Sequence, residues 1–222
     1  MTTTIGDRYT SRYKTTKCSF GFETDHITEI ELEILYERPT GSEIIGRASF
    51  LHIDVHSAER DGYRAWTLFD NHISIPYSVQ QHLYKDGVRR ERFEEIPKCP
   101  TVTNHNVFYI DSFEIVTAHR GKGLMKHFLS ESIQQYAKDT SLITMIAYPQ
   151  ASTDSFTEPQ NQTEYEPSKK DFERLTRHYE KFGFTHINKE EFQRAGKGEF
   201  PACLLAMINE PMPNKPPRLP HM

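Results

Sequence analysis

The stretch Ile115-Val-Thr-Ala-His-Arg-Gly-Lys-Gly-Leu-Met-Lys-His-Phe-Leu129 concentrates the residue types that bind an anion. An apolar run ends, Arg120-Gly-Lys-Gly123 follows, and a helix-forming segment begins at once. The first backbone N–H groups of a helix have no intrahelical acceptor, and the macrodipole adds partial positive charge there. Such a terminus suits a phosphate. Gly121 and Gly123 let a phosphate approach the main chain, and Arg120, Lys122 and Lys126 surround it with full charges. The spacing fits neither the Walker pattern G-x-x-x-x-G-K-[ST] nor the dinucleotide pattern G-x-G-x-x-G. Taken alone, the stretch also reads as an ordinary strand-to-helix turn with solvated basic residues.

The elements that must position this turn follow from the hydrophobic pattern. Residues 106–117 are apolar on both faces, as a central strand is. A turn at 118–123 leads into a helix at 124–138, and 142–148 reads as another buried strand, which makes a βαβ-like unit of α/β type. Upstream, Ile30, Leu32 and Ile34 alternate with Glu29, Glu31 and Glu33, the pattern of a half-buried strand. Pro39-Thr-Gly41 is a turn and 43–56 a second strand, so 27–56 reads as a hairpin. Ser57 is placed to cap a helix running to Asp70 with Tyr63, Trp66 and Phe69 near one face, and a further helix is expected within 75–94. Downstream, 149–168 is a long polar loop, Ser168 caps a helix to Lys181 with Gly183 closing it, and 184–187 and 200–208 read as strands. Residues 1–26 show no pattern and read as a flexible arm; the Pro-rich 210–222 reads as an extended tail. A single domain over 27–209 is the expected organisation, with 106–188 as its core.

Composition narrows the function classes. Apolar residues make up 36% of the 222, but the 14 Phe and 11 Tyr bring enough buriable surface for a core. The formal net charge of −4 supplies no general attraction to nucleic acid or anionic lipid, so neither is expected as a partner. No apolar run approaches the ~20 residues of a membrane span, and the N-terminus lacks the apolar stretch of a signal peptide. Scattered Cys18, Cys99 and Cys203 fit free thiols, and a cytoplasmic location is expected. His52, Asp54 and His56 alternate along the expected second strand and have metal-ligand chemistry, but without a further ligand cluster a polar sheet face is the better reading, and no metal is expected.

Arg120-Gly-Lys-Gly123-Leu-Met125 resembles the acyl-CoA pyrophosphate motif [RQ]-x-x-G-x-[GA] of the GNAT superfamily of N-acetyltransferases, with Met in the last position. Leu175-Thr-Arg-His-Tyr-Glu-Lys-Phe-Gly-Phe184 is similar to that family's L-Y-E-K-x-G-F signature, in the family's order and spacing. The resemblance spans about 106–188. It departs from the family at Phe172, where asparagine is usual, in the hairpin that precedes the helices of 57–94, and in the longer 149–168 loop. It implies a mixed, mostly antiparallel central sheet flanked by helices on both faces. It also implies an acetyl-CoA-dependent N-acetyltransferase whose acceptor is a small polyamine-like molecule or the lysine or N-terminus of a peptide or protein. A homodimer is compatible with it.

By the same resemblance, the backbone of Ile115, Val116 and Thr117 holds the pantetheine arm. Residues Arg120, Gly121, Lys122, Gly123, Leu124, Met125 and Lys126 hold the pyrophosphate, and Tyr179 protonates the leaving thiolate. Asp111 and Glu114 are the candidate bases. Their odd spacing sends them to opposite strand faces unless a bulge intervenes, and Asp111 would share its face with Tyr109, Phe113 and Ile115. Asp154, Glu158, Glu164 and Glu166 make the long loop acidic and favour a cationic acceptor. Two other classes stay open from sequence: a non-catalytic CoA-binding or interaction domain, and a phosphate-binding α/β domain unrelated to CoA.

Overall fold

A computed structural model of the chain describes residues 8–18, 25–70, 84–85, 88–89, 106–149, 168–187 and 203–208. The described strands are β1 (Tyr9–Lys17), β2 (Ile27–Arg38), β3 (Gly41–Ile53), β4 (Tyr84–Lys85), β5 (Val88–Arg89), β6 (Val107–Ile115), β7 (Leu142–Ala147), β8 (Thr185–His186) and β9 (Cys203–Ile208). Helices α1 (Val55–Arg60), α2 (Ala65–Asp70), α3 (Leu124–Tyr136) and α4 (Lys169–Glu180) join them. Seven strands form one mixed sheet in the order β1-β2-β3-β6-β7-β9-β8, and β4 and β5 form a separate pair. Within the sheet only β6 and β7 run parallel; every other pairing is antiparallel.

Alternation of side chains across the sheet builds two cores. Ile30, Leu32, Ile34, Phe50, Phe108, Ile110 and Ile143 point to one face, where they meet Leu124, Phe128 and Leu129 of α3 and Phe172 and Tyr179 of α4. Phe50 and Phe108 stack at 5.3 Å across β3 and β6. On the opposite face Leu51, Ile53, Val107, Tyr109 and Leu142 meet Val55, Ala58, Leu68 and Phe69 of α1 and α2. A central strand apolar on both faces is thus what the two helical layers require of β6.

The first 26 residues are not an unstructured arm throughout. Tyr9–Lys17 is the first strand of the sheet, paired along its length with β2 from Tyr9↔Tyr36 to Lys17↔Thr28. Its inner face is Tyr9, Ser11 and Tyr13, residues that a hydrophobicity pattern scores as polar. They are accommodated because α3 offers polar partners: Ser11 Oγ donates to Glu131 at 3.1 Å, and the Tyr13 hydroxyl lies 3.1 Å from Ser132 Oγ. Tyr13 also packs on Tyr136 at 5.4 Å.

The expected helix from Ser57 to Asp70 is two short ones, and the strand before it stops at Ile53. Asp54, not Ser57, is the cap: its carboxylate accepts from the Ser57 N–H at 3.0 Å. A Gly at 62 with φ +91° breaks the segment. Within 75–94, where a helix was expected, the described residues Tyr84–Lys85 and Val88–Arg89 form an antiparallel pair instead. The intervening Asp-Gly dipeptide favours a two-residue hairpin over a helix. The 149–168 loop, save its ends, and the 210–222 tail lie outside the described residues.

Burial by itself raises the Asp54 pKa, but the bonds from Ser57, the neighbouring His52 and Asn106 outweigh it and hold the carboxyl below its ordinary value. A depressed carboxylate contributes stability above its unfolded pKa, ~3.9, and loses it as pH falls through the folded value. Replacing Asp54→Ala should therefore cost about 1 kcal/mol at pH 7. The difference from the parent in urea melts should shrink once the solution is taken below pH ~4.

Candidate functional site

Parallel pairing of β6 with β7 runs from Val107↔Leu142 to Ile110↔Met145 and stops. Beyond it, β7 continues against β9 through Ile146 and Ala147, while β6 continues against β3 to Gly46↔Ile115. The two strands therefore splay, and the register supplies the cause. Phe50 pairs with Ile110 but Ser49 with Ser112, so Asp111 is one residue too many and forms a bulge. The Val116 N–H donates to Ile45 at 2.9 Å, toward β3. Alternation in an antiparallel ladder then turns the backbone groups of Phe113 and Ile115 the other way, into the splay.

The turn that follows sits at the end of that opening. A single turn of 3-10 helix, Thr117–His119, leads to Gly121 at φ +75° and Gly123 at φ +76°, the left-handed region where glycine is favoured. A Cβ built at either would meet nothing within 4 Å, so backbone conformation and not crowding demands these glycines. Gly123 caps α3 with no side-chain cap bond, and the first N–H to be engaged within the helix is that of His127, bonded to Gly123 at 3.1 Å. The N–H groups of Leu124, Met125 and Lys126 are those that a helix start leaves without an intrahelical acceptor. Leu124 is buried, Met125 packs against the core, and Lys126 is exposed. Main-chain N–H groups at such a helix start can accept an anion, and Arg120, Lys122 and Lys126 are the basic residues next to them in the chain.

Arg120 does a second job: its Nε donates to the Ile115 carbonyl at 2.7 Å, which ties the turn to the strand end. The sequence did not reveal a second brace, made by β1 and β2. Lys122 Nζ donates to the Tyr9 hydroxyl at 3.3 Å, and that hydroxyl lies 3.4 Å from His119 Nδ1. The Tyr9, Tyr36 and His119 rings pack with centroids 5.0–5.9 Å apart. Burial holds His119 below its ordinary pKa, aided by Lys122 and Arg38 and opposed by Glu43, so it is neutral at pH 7. The recoverable signal was the alternation of Tyr9, Ser11 and Tyr13.

The bulge brings Asp111 and Glu114 to one face. Glu114 lies opposite Arg47 on the face away from α3, and Asp111 acts electrostatically on Tyr109 of that same face. The aromatic enclosure expected for Asp111 is not formed: its side chain is exposed, and Phe113 and Ile115 face the α3 side. Glu114 is half-buried.

Tyr179 lies in the α3–α4 core, buried, with Phe184 at 5.7 Å and Phe182 at 6.2 Å. Burial raises its pKa, so the phenol stays protonated at physiological pH. Helix α4 is started by Ser168, whose N–H and hydroxyl donate to Asp171 at 3.0 and 2.6 Å. Phe172, one turn in, packs edge-on against Tyr148 just beyond β7, and Tyr148 is 57% exposed. His52, Asp54 and His56 do not share a strand face: His52 bonds to Asp139 at 2.9 Å, Asp54 caps α1 and His56 lies within it.

No protein-family model matches the chain, and no curated protein matches it. Among the described residues no helix is long and apolar enough to cross a membrane.

The glycine geometry carries its own test. Gly123→Ala introduces left-handed strain but no clash, so unfolding free energy should fall by about 1–2 kcal/mol. Gly123→Asn, which tolerates that region better, should lose less in the same denaturant titration.

Proposed function

We propose that the chain is an acyl-CoA-dependent N-acyltransferase of GNAT type, transferring an acetyl group from acetyl-CoA to a primary amine. One observation carries the reading: the β6–β7 splay opens beside a glycine turn that starts α3. An extended arm can pair with the outward backbone of Phe113 and the N–H of Ile115, whose carbonyl accepts from Arg120, while a pyrophosphate at its far end meets the N–H groups of residues 124–126. The mixed sheet with helices on both faces is the architecture that such a family implies.

In this reading the thioester carbonyl is polarised by a backbone N–H in the splay. The acceptor nitrogen, once neutral, attacks the carbonyl carbon. The C–N bond forms, the C–S bond breaks, the nitrogen loses a proton and the thiolate takes one up. Tyr179 is the proton donor, since burial keeps its hydroxyl protonated. Asp111 and Glu114, on the face opposite α3, receive the amine's proton directly or through water. Positioning of the two reactants supplies a large share of the rate.

Gly123→Asp should abolish CoA binding in calorimetry, because a carboxylate at the anion site repels phosphate. Undiminished affinity would remove the turn from the binding site. With acetyl-CoA saturating, Tyr179→Phe should lower kcat ~100-fold or more with little change in the acetyl-CoA KM. Equal kcat would assign Tyr179 to packing with Phe182 and Phe184. CoA binding without turnover of any amine would favour a non-catalytic CoA-binding domain.

A further inference from the structure

Among the described residues the sheet ends at β8, two residues long, and at β1, nine residues long. Strand β1 holds no proline, and its register against β2 runs without a shift from Tyr9↔Tyr36 to Lys17↔Thr28. Short length, proline and bulges are common means of closing an edge to a further strand. Which backbone groups lie along the β1 edge follows from one bond: the Cys18 N–H donates to the Ile27 carbonyl at 3.1 Å, one step beyond Lys17↔Thr28. Alternation in an antiparallel ladder then points the groups of Thr10, Arg12, Lys14 and Thr16 toward β2, and those of Tyr9, Ser11, Tyr13, Thr15 and Lys17 outward. Arg12, Lys14, Thr15, Thr16 and Lys17 are exposed in the folded chain, so solvent reaches the second half of this edge.

On the face away from α3 the edge is basic. Arg12 Nε donates to Glu33 at 2.8 Å and Lys14 Nζ to Glu31 at 3.2 Å, both across to β2. Their side chains stay 63% and 71% exposed, so each cation keeps solvent-facing surface for a second carboxylate. Both stand where an added antiparallel strand would not bond their backbone, the positions at which facing side chains come closest. Two copies of β1 do not suit each other. A twofold pairing centred on Arg12 sets Arg12 against itself, one centred on Tyr13 sets Arg12 against Lys14, and one centred on Lys14 sets Lys14 against itself. Like charges directly opposite are destabilising. Registers that slide farther pair no more than three of the five outward residues. A strand with carboxylates at two alternate positions repeats what β2 already does with Glu31 and Glu33, and places Arg12 and Lys14 between acids on both sides.

We propose that β1 is a docking edge for an extended acidic segment of a partner protein, which adds to the sheet as an antiparallel strand with carboxylates facing Arg12 and Lys14. The test uses the full chain and fluorescein-labelled peptides of the pattern Thr-Val-Glu-Val-Glu-Val-Thr, with Gln or Lys in place of both Glu as comparisons, read by fluorescence anisotropy. The Glu peptide should bind on the order of tenfold more tightly than the Gln peptide, and the Lys peptide should bind more weakly still. Raising salt should narrow the difference. Replacing Arg12→Gln together with Lys14→Gln should bring the Glu and Gln peptides to about equal affinity. Thr15→Pro removes an outward N–H and no bond of the β2 ladder, so it should abolish binding of the Glu peptide while leaving the urea midpoint nearly unchanged. No binding of the Glu peptide at millimolar concentration, equal binding of the Gln peptide by the parent chain, or undiminished binding by a folded Thr15→Pro would each overturn the proposal. Self-association of the parent chain in sedimentation that Thr15→Pro removes would also overturn it, by giving the edge to a second copy. Should Thr15→Pro fail to fold, the Arg12→Gln, Lys14→Gln chain decides, since an unchanged preference for the Glu peptide there is incompatible with carboxylates facing those two residues.

Discussion

Backbone groups buried inside a sheet must be paired, and the arrangement around β6 turns on where that pairing is interrupted. For Val107–Ile110 the strand is bonded on both sides, to β3 and to β7. The extra residue at Asp111 breaks the parallel ladder while the antiparallel one recovers a residue later. Strand β6 thus stays fixed by one neighbour as it leaves the other, which opens a gap in the sheet without loosening its wall. The same irregularity turns Ser112 and Glu114 to the face of Tyr109, and Phe113 and Ile115 to the face of α3. One inserted residue therefore sets the shape of the opening and the distribution of charge on its two sides.

The turn after β6 depends on parts of the chain far from it in sequence. Arg120 fixes it to the strand it leaves, while Lys122 and His119 fix it to Tyr9, more than a hundred residues earlier. Each such bond contributes on the order of 1 kcal/mol. Together they fix two left-handed glycines in one conformation, where an isolated peptide would exchange freely among several. Strand β1 is thus part of the frame for the glycine turn, through aromatic rings on its inner face and the polar bonds it makes with α3.

Much of this was legible in the residues. The two-sided apolar pattern of 106–117 identified the central strand, and the alternating Ile30, Leu32 and Ile34 identified β2. The glycine turn announced a helix start because glycine and a following apolar period have few other uses together. The bulge at Asp111 was foreseen only as a condition, because an insertion in a ladder shows itself in the register against β3 and leaves no residue signature. Strand β1 was missed because Tyr and Ser are inward-facing there. Their burial is compensated by Glu131 and Ser132, partners that no local window contains. The end of β3 was overrun because Asp54 is equally compatible with a strand face and a helix cap, and tertiary neighbours such as Asn106 decide between them.

The order of the elements along the chain has a consequence for synthesis. The β1–β2–β3 meander is complete by Ile53, yet Leu124, Phe128 and Leu129, which cover its inner face, follow about seventy residues later. At ~5–20 residues per second that interval is roughly 4–14 s. During it none of the described helices that pack on Ile30, Leu32, Ile34 and Phe50 has been made, and the nascent chain offers that apolar face to whatever is near the ribosome exit. Aggregation during expression would start from that surface. A holding chaperone that covers that surface until α3 emerges would act on this interval and not on the finished structure.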